Sequence, residues 1–283
     1  MKTTRLSLPG DGLALVADAY GDTAAPPVLF FHGGGQGRRS WNRTAQLVAR
    51  HGFRGITVDL RGHGESDWAT DGDYHVEAYA RDVERLLDWA GRPASLVGAS
   101  RGGQAALIGA ARHAGRASMV MLADVVPGIQ LSGVSRVALF LQQSLAGFAS
   151  ADEAADSLST MLDKPRLSDS SGLSKVMRTG NDGRLYWQWD PASVRPEFLA
   201  PPSEFEAMEQ AARTIACPVI MVRGSLSDMV TPDAVERFRE MTPGLITMEV
   251  EGVGHMFTGD TNDAFATALL DQLRRFVQAP AAR

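Results

Sequence analysis

Three residues in separate turns of this sequence could together carry out nucleophilic chemistry. Ser100 is the centre of "GASRG" (98–102), a Gly-x-Ser-x-Gly pattern between an apolar run and a helical one. A serine hydroxyl becomes an effective nucleophile when a histidine takes its proton and an acid orients that histidine. His255 in "VEGVGHMF" and Asp228 in "GSLSDMVTPD" are the base and the acid that we select. The pattern predicts acyl transfer through Ser100.

The positions of these residues agree with that chemistry. Glycines two places before and after the serine suit a sharp, strained turn, where larger side chains would collide with neighbouring backbone. His255 and Asp228 each follow an apolar, strand-like run, and ligands of open α/β sheets bind at the carboxyl ends of strands. Asp124 in "MLADVV" also ends such a run. We take Asp228 as the acid and keep Asp124 as the alternative.

The composition is that of a globular protein with a small-molecule substrate. Of 283 residues, 44% are hydrophobic and 22% charged, with a net charge of -5. This content is too apolar for disorder, and no basic block predicts nucleic-acid binding. The sequence has no HExxH motif and no cluster at metal-ligand spacing, so we expect neither a metal nor a cofactor. It allows a homodimer without requiring one.

The N-terminal stretch and the cysteine content indicate a cytoplasmic location. "MKTTRLSLPGDGLALVADAYG" alternates around a turn, as a hairpin does, and lacks the apolar segment of a signal peptide. No apolar run approaches the ~20 residues of a membrane span, so no membrane partner is expected. Cys217 is the single cysteine, which excludes an intramolecular disulfide and favours a reducing compartment.

Short apolar strands alternate with helical patterns along most of the chain. The predicted strands are "PVLFFH" (27–32), "RGITVDL" (54–60), "ASLVGAS" (94–100), "ASMVMLADV" (117–125), "CPVIMVRG" (217–224) and "LITMEVEG" (245–252). This alternation is typical of a mostly parallel sheet covered by helices on both faces.

Residues 127–216 interrupt this alternation after the sixth strand, if the two strands of the N-terminal hairpin are counted. They are rich in Leu, Met, Ser and Ala at helical spacing, and a structureless loop of that length is implausible. We therefore predict a helical lid at 127–216 over a core made of 1–126 and 217–283. Tyr186, Trp187 and Trp189 in the lid, and Trp41 in the core, are candidates for lining the pocket, with packing as the alternative role.

Four motifs in order resemble the α/β-hydrolase fold superfamily over essentially the whole chain. They are "FFHGGGQ", "DLRGHGESD", "GASRGG" and the pair "GSLSD" and "GHMF". The resemblance is to the lid-bearing, cofactor-independent branch, which includes esterases, lactonases, carbon–carbon bond hydrolases and perhydrolases. It implies that the backbone amides of Gly34 and Arg101 form the oxyanion hole. It also implies that His63 of the second motif shapes the site without transferring a proton.

The resemblance implies a serine hydrolase acting on an ester, thioester or lactone of a small apolar substrate. Serine at the turn excludes the aspartate-based dehalogenases and epoxide hydrolases of this fold. A carbon–carbon bond hydrolase, a perhydrolase or haloperoxidase, and a non-catalytic receptor are the alternatives. The guanidinium of Arg101 has two candidate partners, an acidic side chain under the lid or an anionic group of the substrate.

Overall fold

Strand β3 (Pro27–Phe31) shows how the sequence builds the centre of the fold. All five of its residues are buried, and successive side chains of a strand point to opposite faces. Val28 and Phe30 accordingly join one apolar cluster, and Leu29 and Phe31 join another. A strand that is apolar on both faces needs helices on both sides. The computed structural model describes residues 2–128, 131–162, 165–166, 169–199, 201–255 and 263–278.

Eight strands, with β3 near the centre, form one sheet. The other seven are β1 (Thr4–Pro9), β2 (Ala14–Tyr20), β4 (Arg54–Val58), β5 (Ala94–Ala99), β6 (Ala117–Ala123), β9 (Val219–Gly224) and β10 (Ile246–Val250). Their order in the sheet is β1-β2-β4-β3-β5-β6-β9-β10. Strand β2 runs antiparallel to β1 and β4, and all other pairs are parallel. Consequently, the loops after β3, β5, β6, β9 and β10 all leave the sheet at the same edge.

Helices cover both faces of this sheet. One face packs against α2 (Val76–Ala90), α3 (Ser100–Arg112), α6 (Pro202–Thr214) and α7 (Pro232–Met241). The opposite face packs against α1 (Asn42–Arg50) and α8 (Asp263–Phe276). The predicted fold, a mostly parallel sheet flanked by helices, is confirmed.

The chain between β6 and β9 is mainly helical and has its own apolar cluster. It contains α4 (Leu131–Gln143), α5 (Ala151–Leu162), a small antiparallel hairpin of β7 (Met177–Thr179) and β8 (Leu185–Trp187), and four short 3-10 helices. Phe140, Phe148 and Trp187 pack together in this cluster. Helix α6 instead contributes Met208 and Ala211 to the main core, so the segment that packs separately is shorter than the predicted 127–216.

Backbone hydrogen bonds join this insertion to the turn that follows β4. The amide of Gly64 donates to the carbonyl of Gln188 (2.6 Å), and the amide of Asp190 donates to the carbonyl of Gly62 (2.7 Å). These bonds fix the insertion beside the edge of the sheet where the candidate site lies. In the part of the chain that is described, every helix is too short or too polar to cross a membrane.

Candidate active site

The turn from β5 to α3 holds Ser100 in a strained conformation. Its φ of +46° lies in the left-handed region, which costs a non-glycine residue about 1–2 kcal/mol. A Cβ on Gly98 would lie 2.5 Å from the Cα of Gly103, and one on Gly102 would lie 2.4 Å from the carbonyl oxygen of His32. The glycines of the motif are therefore required because the turn packs directly against neighbouring backbone.

His255, after β10, forms a hydrogen bond with a buried carboxylate. Its Nδ1 lies 2.7 Å from Oδ2 of Asp124, a residue 131 positions away in the sequence. Asp124 directly follows β6, is fully buried and also has a positive φ, +54°. Its Oδ1 accepts the amide of Gly224 (3.0 Å), and its Oδ2 also accepts the hydroxyl of Ser227 (2.5 Å). An Nδ1–H held in this way leaves Nε2 available to take a proton.

The structure therefore pairs His255 with the alternative acid, Asp124, and does not bring the selected acid, Asp228, to the imidazole. The side chain of Asp228 is 43% exposed and forms an ion pair with Arg136 of α4. The loop after β9 turns the neighbouring Ser227 toward the site instead, where its hydroxyl donates to Asp124. Because β6 and β9 are adjacent parallel strands, both aspartates leave the sheet at nearly the same place.

Ser100 and His255 line one cavity of about 100 Å³, together with Gly34. The hydrogen bonds of the described residues do not include one between the Ser100 hydroxyl and the imidazole. Such bonds are often long before a substrate binds. The structure thus brings the predicted nucleophile, base and glycine loop to the same cavity.

The loop after β3 leaves one amide free at this cavity. The amide of Gly33 donates to Oε1 of Gln36 (3.0 Å), that of Gly35 donates to Nε2 of His63 (3.1 Å), and that of Gln36 donates to the carbonyl of Gly33 (3.2 Å). The amide of Gly34 has no partner among the described residues, and a Cβ there would meet no atom within 4 Å. The amide of Arg101 lies in the first turn of α3, where helical amides lack intrahelical acceptors. Gly34 and Arg101, the two predicted oxyanion donors, thus both line the cavity at Ser100.

Two buried histidines support this loop without being free to transfer protons. His63 donates from Nδ1 to the carbonyl of Arg61 (2.9 Å) and accepts the amide of Gly35 at Nε2. His32 similarly donates to the carbonyl of Gly33 (2.8 Å) and accepts the amide of Leu60 (3.0 Å). Burial, with the neighbouring His32, lowers the pKa of His63 to about 3. Burial also lowers the pKa of His32, so both rings are neutral.

The guanidinium of Arg101 pairs with a buried acid. It forms an ion pair with Glu204 of α6 and also donates to the carbonyl of Phe198 (2.7 Å). Gln104, one turn further along α3, donates to the other carboxylate oxygen of Glu204 (2.5 Å). Of the two candidate partners for Arg101, the structure thus provides the acidic side chain. Glu204 lies one helical turn before the buried Met208, and an acid on the apolar face of a helix was the sequence signal for it.

The aromatic candidates divide between the core and a second pocket. Trp41 is fully buried, packs against Phe30 and Phe265 and donates to the carbonyl of Phe31 (3.1 Å). It therefore serves packing. Tyr186 donates to Asp182 (2.7 Å) and lines neither pocket. Trp187 and Trp189 line a chamber of about 510 Å³.

That chamber lies between the insertion and the loop after β3. Apolar side chains of the insertion form one side of it: Val137, Phe140, Leu141, Leu158, Met161, Leu162, Leu173, Val176, Trp187 and Trp189. The other side includes the loop after β3, with Arg38 and Arg39, and Asp59. It shares Gly34, Gly35, Gln36, Val137 and Leu141 with the cavity at Ser100. A Cβ on Gly35 would lie 2.7 Å from a methyl carbon of Leu141. Leu141 and Gly35 therefore form the wall between the two pockets.

The described residues contain no group of three or more His, Cys, Asp or Glu side chains placed to hold a metal ion. Polar side chains that line the cavity include those of Ser100, His255, Tyr79, Gln104 and Glu204.

Residues 28–268 match the sequence pattern of the alpha/beta hydrolase family. That match covers most of the chain, and the chain belongs to this family. It is 27% identical over 245 residues to the esterase Rv0045c of Mycobacterium tuberculosis, covering 84% of this chain and 79% of the esterase. It is also 27% identical over 254 residues to a non-heme chloroperoxidase of Streptomyces lividans, covering 87% of this chain and 90% of the relative.

The architecture is likewise shared with solved structures. An alpha/beta hydrolase from Novosphingobium aromaticivorans superimposes with a TM-score of 0.79 at 25% identity, covering 97% of this chain and 99% of the other. The predicted resemblance to the α/β-hydrolase superfamily is therefore confirmed.

Proposed function

We propose that this protein is a serine hydrolase that cleaves an ester, thioester or lactone with an apolar substituent. In this mechanism His255 takes the proton of Ser100, whose oxygen attacks the substrate carbonyl. The amides of Gly34 and Arg101 bind the resulting oxyanion, and Asp124 orients the imidazole and stabilises its charged form. The alcohol leaves with the proton held by His255, and a water activated by the same histidine releases the acid.

The observation that carries this proposal is the hydrogen bond between His255 and the buried Asp124 at the cavity of Ser100. Burying a charged carboxylate costs free energy. A fully buried aspartate that is bonded to an imidazole is therefore expected to have a function. Orientation of a catalytic base is such a function. The name of the M. tuberculosis relative, an esterase, agrees with the proposed reaction.

The apolar chamber supports the choice of an apolar substituent. Its volume of about 510 Å³ is within the range of small-molecule sites. We propose that the insertion acts as a lid whose inner face forms this chamber. The substrate would place its carbonyl at Ser100 and its apolar part beyond Leu141.

Two conservative variants test the assignment of the acid. Asp124→Asn should lower kcat for a p-nitrophenyl ester by about 10⁴-fold, because the imidazole then takes the wrong tautomer. Asp228→Asn, the matched control, should change kcat less than about threefold, since an exposed ion pair contributes little. The measurement is the rate of ester hydrolysis by both variants and by Ser100→Ala. An active Asp124→Asn enzyme, or fluorophosphonate labelling of Ser100→Ala, would refute the mechanism.

A second candidate function is peracid formation, in which peroxide replaces water. The observation favouring it is the similarity to a relative named non-heme chloroperoxidase. Incubation with acetate and hydrogen peroxide should then yield a halide-oxidising peracid, and Ser100→Ala should lose this activity. Peracid production that persists in Ser100→Ala would mean that this reaction does not take place at Ser100.

A further inference from the structure

One wall of the cavity at Ser100 is polar. Tyr79 of α2, Arg101 and Gln104 of α3 and Glu204 of α6 all line it. Three of them are held in place by each other, because Arg101 and Gln104 both bind the carboxylate of Glu204. We name these four residues the polar wall. It faces a space already bordered by the reacting serine, so anything bound there lies within a few atoms of the scissile bond.

The hydroxyl of Tyr79 is the unpaired member of the polar wall. The residue is 2% exposed, and its hydroxyl has no hydrogen-bond partner in the described part of the chain. Its ring packs beside the guanidinium of Arg101, 5.8 Å from the ring centre, and beside Tyr74. Buried tyrosine hydroxyls normally have a partner, so a group bound in the cavity is the acceptor that this hydroxyl has available. By contrast, the hydroxyl of Tyr74 bonds to both Asp190 and the amide of Ala69.

The polar wall has no net charge. The positive charge of Arg101 faces the negative charge of Glu204, whose side chain is only 2% exposed. An anionic group of a substrate would approach the Glu204 carboxylate as well as the guanidinium, so it would gain no net attraction. Burial raises the pKa of Tyr79, so its hydroxyl keeps its proton and can donate. The wall is therefore suited to a neutral hydrogen-bonding group.

We propose that Tyr79 binds a neutral hydroxyl or carbonyl group that the substrate carries within a few atoms of its scissile ester bond. The cavity volume of about 100 Å³ admits only a small group of this kind. The apolar part of the same substrate lies in the chamber beyond Leu141. The substrate class is thus a hydroxy- or keto-substituted ester, a choice that rests on the proposed ester hydrolysis.

Two pairs of esters of similar size test this assignment. Methyl 3-hydroxybutyrate and methyl butyrate differ by a hydroxyl on the acyl side, and 2-hydroxyethyl butyrate and propyl butyrate differ on the alcohol side. The measurement is the ratio of kcat/KM within each pair, from acid release. The wild-type enzyme should prefer the hydroxylated member of at least one pair. Tyr79→Phe should reduce that preference about tenfold, the value of one hydrogen bond to a buried donor.

Tyr74→Phe is the matched control, because it removes a buried hydroxyl that already has protein partners. Its substrate preference should equal that of the wild type, while its melting temperature should fall. Tyr79→Phe should keep its melting temperature, since its hydroxyl has no protein partner to lose. A preference unchanged by Tyr79→Phe in both pairs would overturn the proposal, as would a wild-type enzyme without any preference.

Binding without turnover separates this proposal from the proposed reaction. Calorimetry on Ser100→Ala, with and without Tyr79→Phe, measures the affinity for the same four esters. If the wild type hydrolyses none of them, the proposed reaction fails. Tighter binding of a hydroxylated ester that is lost with Tyr79→Phe would still support the role of Tyr79. Equal binding of both members of each pair would overturn it.

Discussion

The partner of each ring nitrogen decides what a histidine can do in this site. His255 and His63 both line the cavity at Ser100, yet they differ in what they bind. The Nδ1 of His255 bonds to the carboxylate of Asp124, and no described residue is bonded to its Nε2. Both ring nitrogens of His63 are bound to backbone groups, which fix a neutral ring and hold the amide of Gly35. In the proposed mechanism the first histidine is the base, and the second supports the glycine loop.

The neutrality of His63 predicts a loss of stability in acid. Its pKa is about 3 in the native protein, against about 6.5 in an unfolded chain. As the pH falls from about 6.5 toward 3, the unfolded chain binds a proton that the native ring rejects, so the free energy of unfolding decreases. The contribution is about 1.4 kcal/mol per pH unit.

Urea denaturation at several pH values between 7 and 5 measures this slope. His63→Gln should have a slope smaller by about 1.4 kcal/mol per pH unit below pH 6. His51→Gln, at an exposed histidine, should retain the wild-type slope. Equal slopes for wild type and His63→Gln would show that His63 does not titrate as its burial requires.

At the scale of elements, the site depends on the turns that end parallel strands. Ser100 after β5 and Asp124 after β6 are the non-glycine residues with positive φ in the described chain. Each turn stores strain in order to direct a functional side chain toward the cavity, and such strain persists only where the surroundings enforce it. Here the enforcing contacts are the tight packing at Gly102 and the bonds to the Asp124 carboxylate.

The strain at Ser100 predicts that glycine at this position gives a more stable protein than alanine does, although both variants are inactive. Ser100→Gly should unfold with a free energy about 1 kcal/mol higher than Ser100→Ala, because glycine adopts a positive φ without steric cost. Urea denaturation of the two variants measures the difference. At Ser118, within β6, the same comparison should have the opposite sign, because glycine weakens a regular strand. A Ser100→Gly protein less stable than Ser100→Ala would contradict the strain.

At the scale of the whole molecule, the two pockets arise where separate packing units meet. The main core positions Ser100, and the insertion supplies one side of the chamber. Backbone hydrogen bonds join Gln188 and Asp190 to the turn after β4 and hold the insertion against the main core. In the proposed function, the insertion and not the reacting residues therefore sets the size of the substrate.

Filling the chamber should change chain-length preference without changing the chemistry. Leu158 of α5 lines the chamber, and Leu158→Trp would occupy part of its volume. We expect kcat/KM for p-nitrophenyl octanoate to fall at least tenfold, a loss typical of a pocket that no longer admits several methylenes. Turnover of p-nitrophenyl acetate should remain. Leu139→Trp, at an exposed leucine of α4, is the control, and equal effects of the two variants would contradict the assignment of the chamber.

The sequence by itself determined the parts of this protein that depend on local interactions. Apolar strands predicted the sheet, and the glycines around Ser100 predicted the strained turn, because each is set by residues that are neighbours in the chain. The glycine loop and His255 each follow a strand that the sequence pattern predicts, and the structure brings both to the cavity at Ser100. The oxyanion role of the loop was implied by the family resemblance.

Only the tertiary structure decided which acid meets His255. Asp124 and Asp228 follow adjacent parallel strands, so their sequence contexts are equivalent, and the choice depends on contacts between distant segments. The amide of Gly224 and the hydroxyl of Ser227 bind the carboxylate of Asp124, which faces the imidazole. Asp228 is instead exposed and forms an ion pair with Arg136 of the insertion. The same reason applies to Arg101, whose charge is matched by Glu204 from a helix about a hundred residues further along the chain.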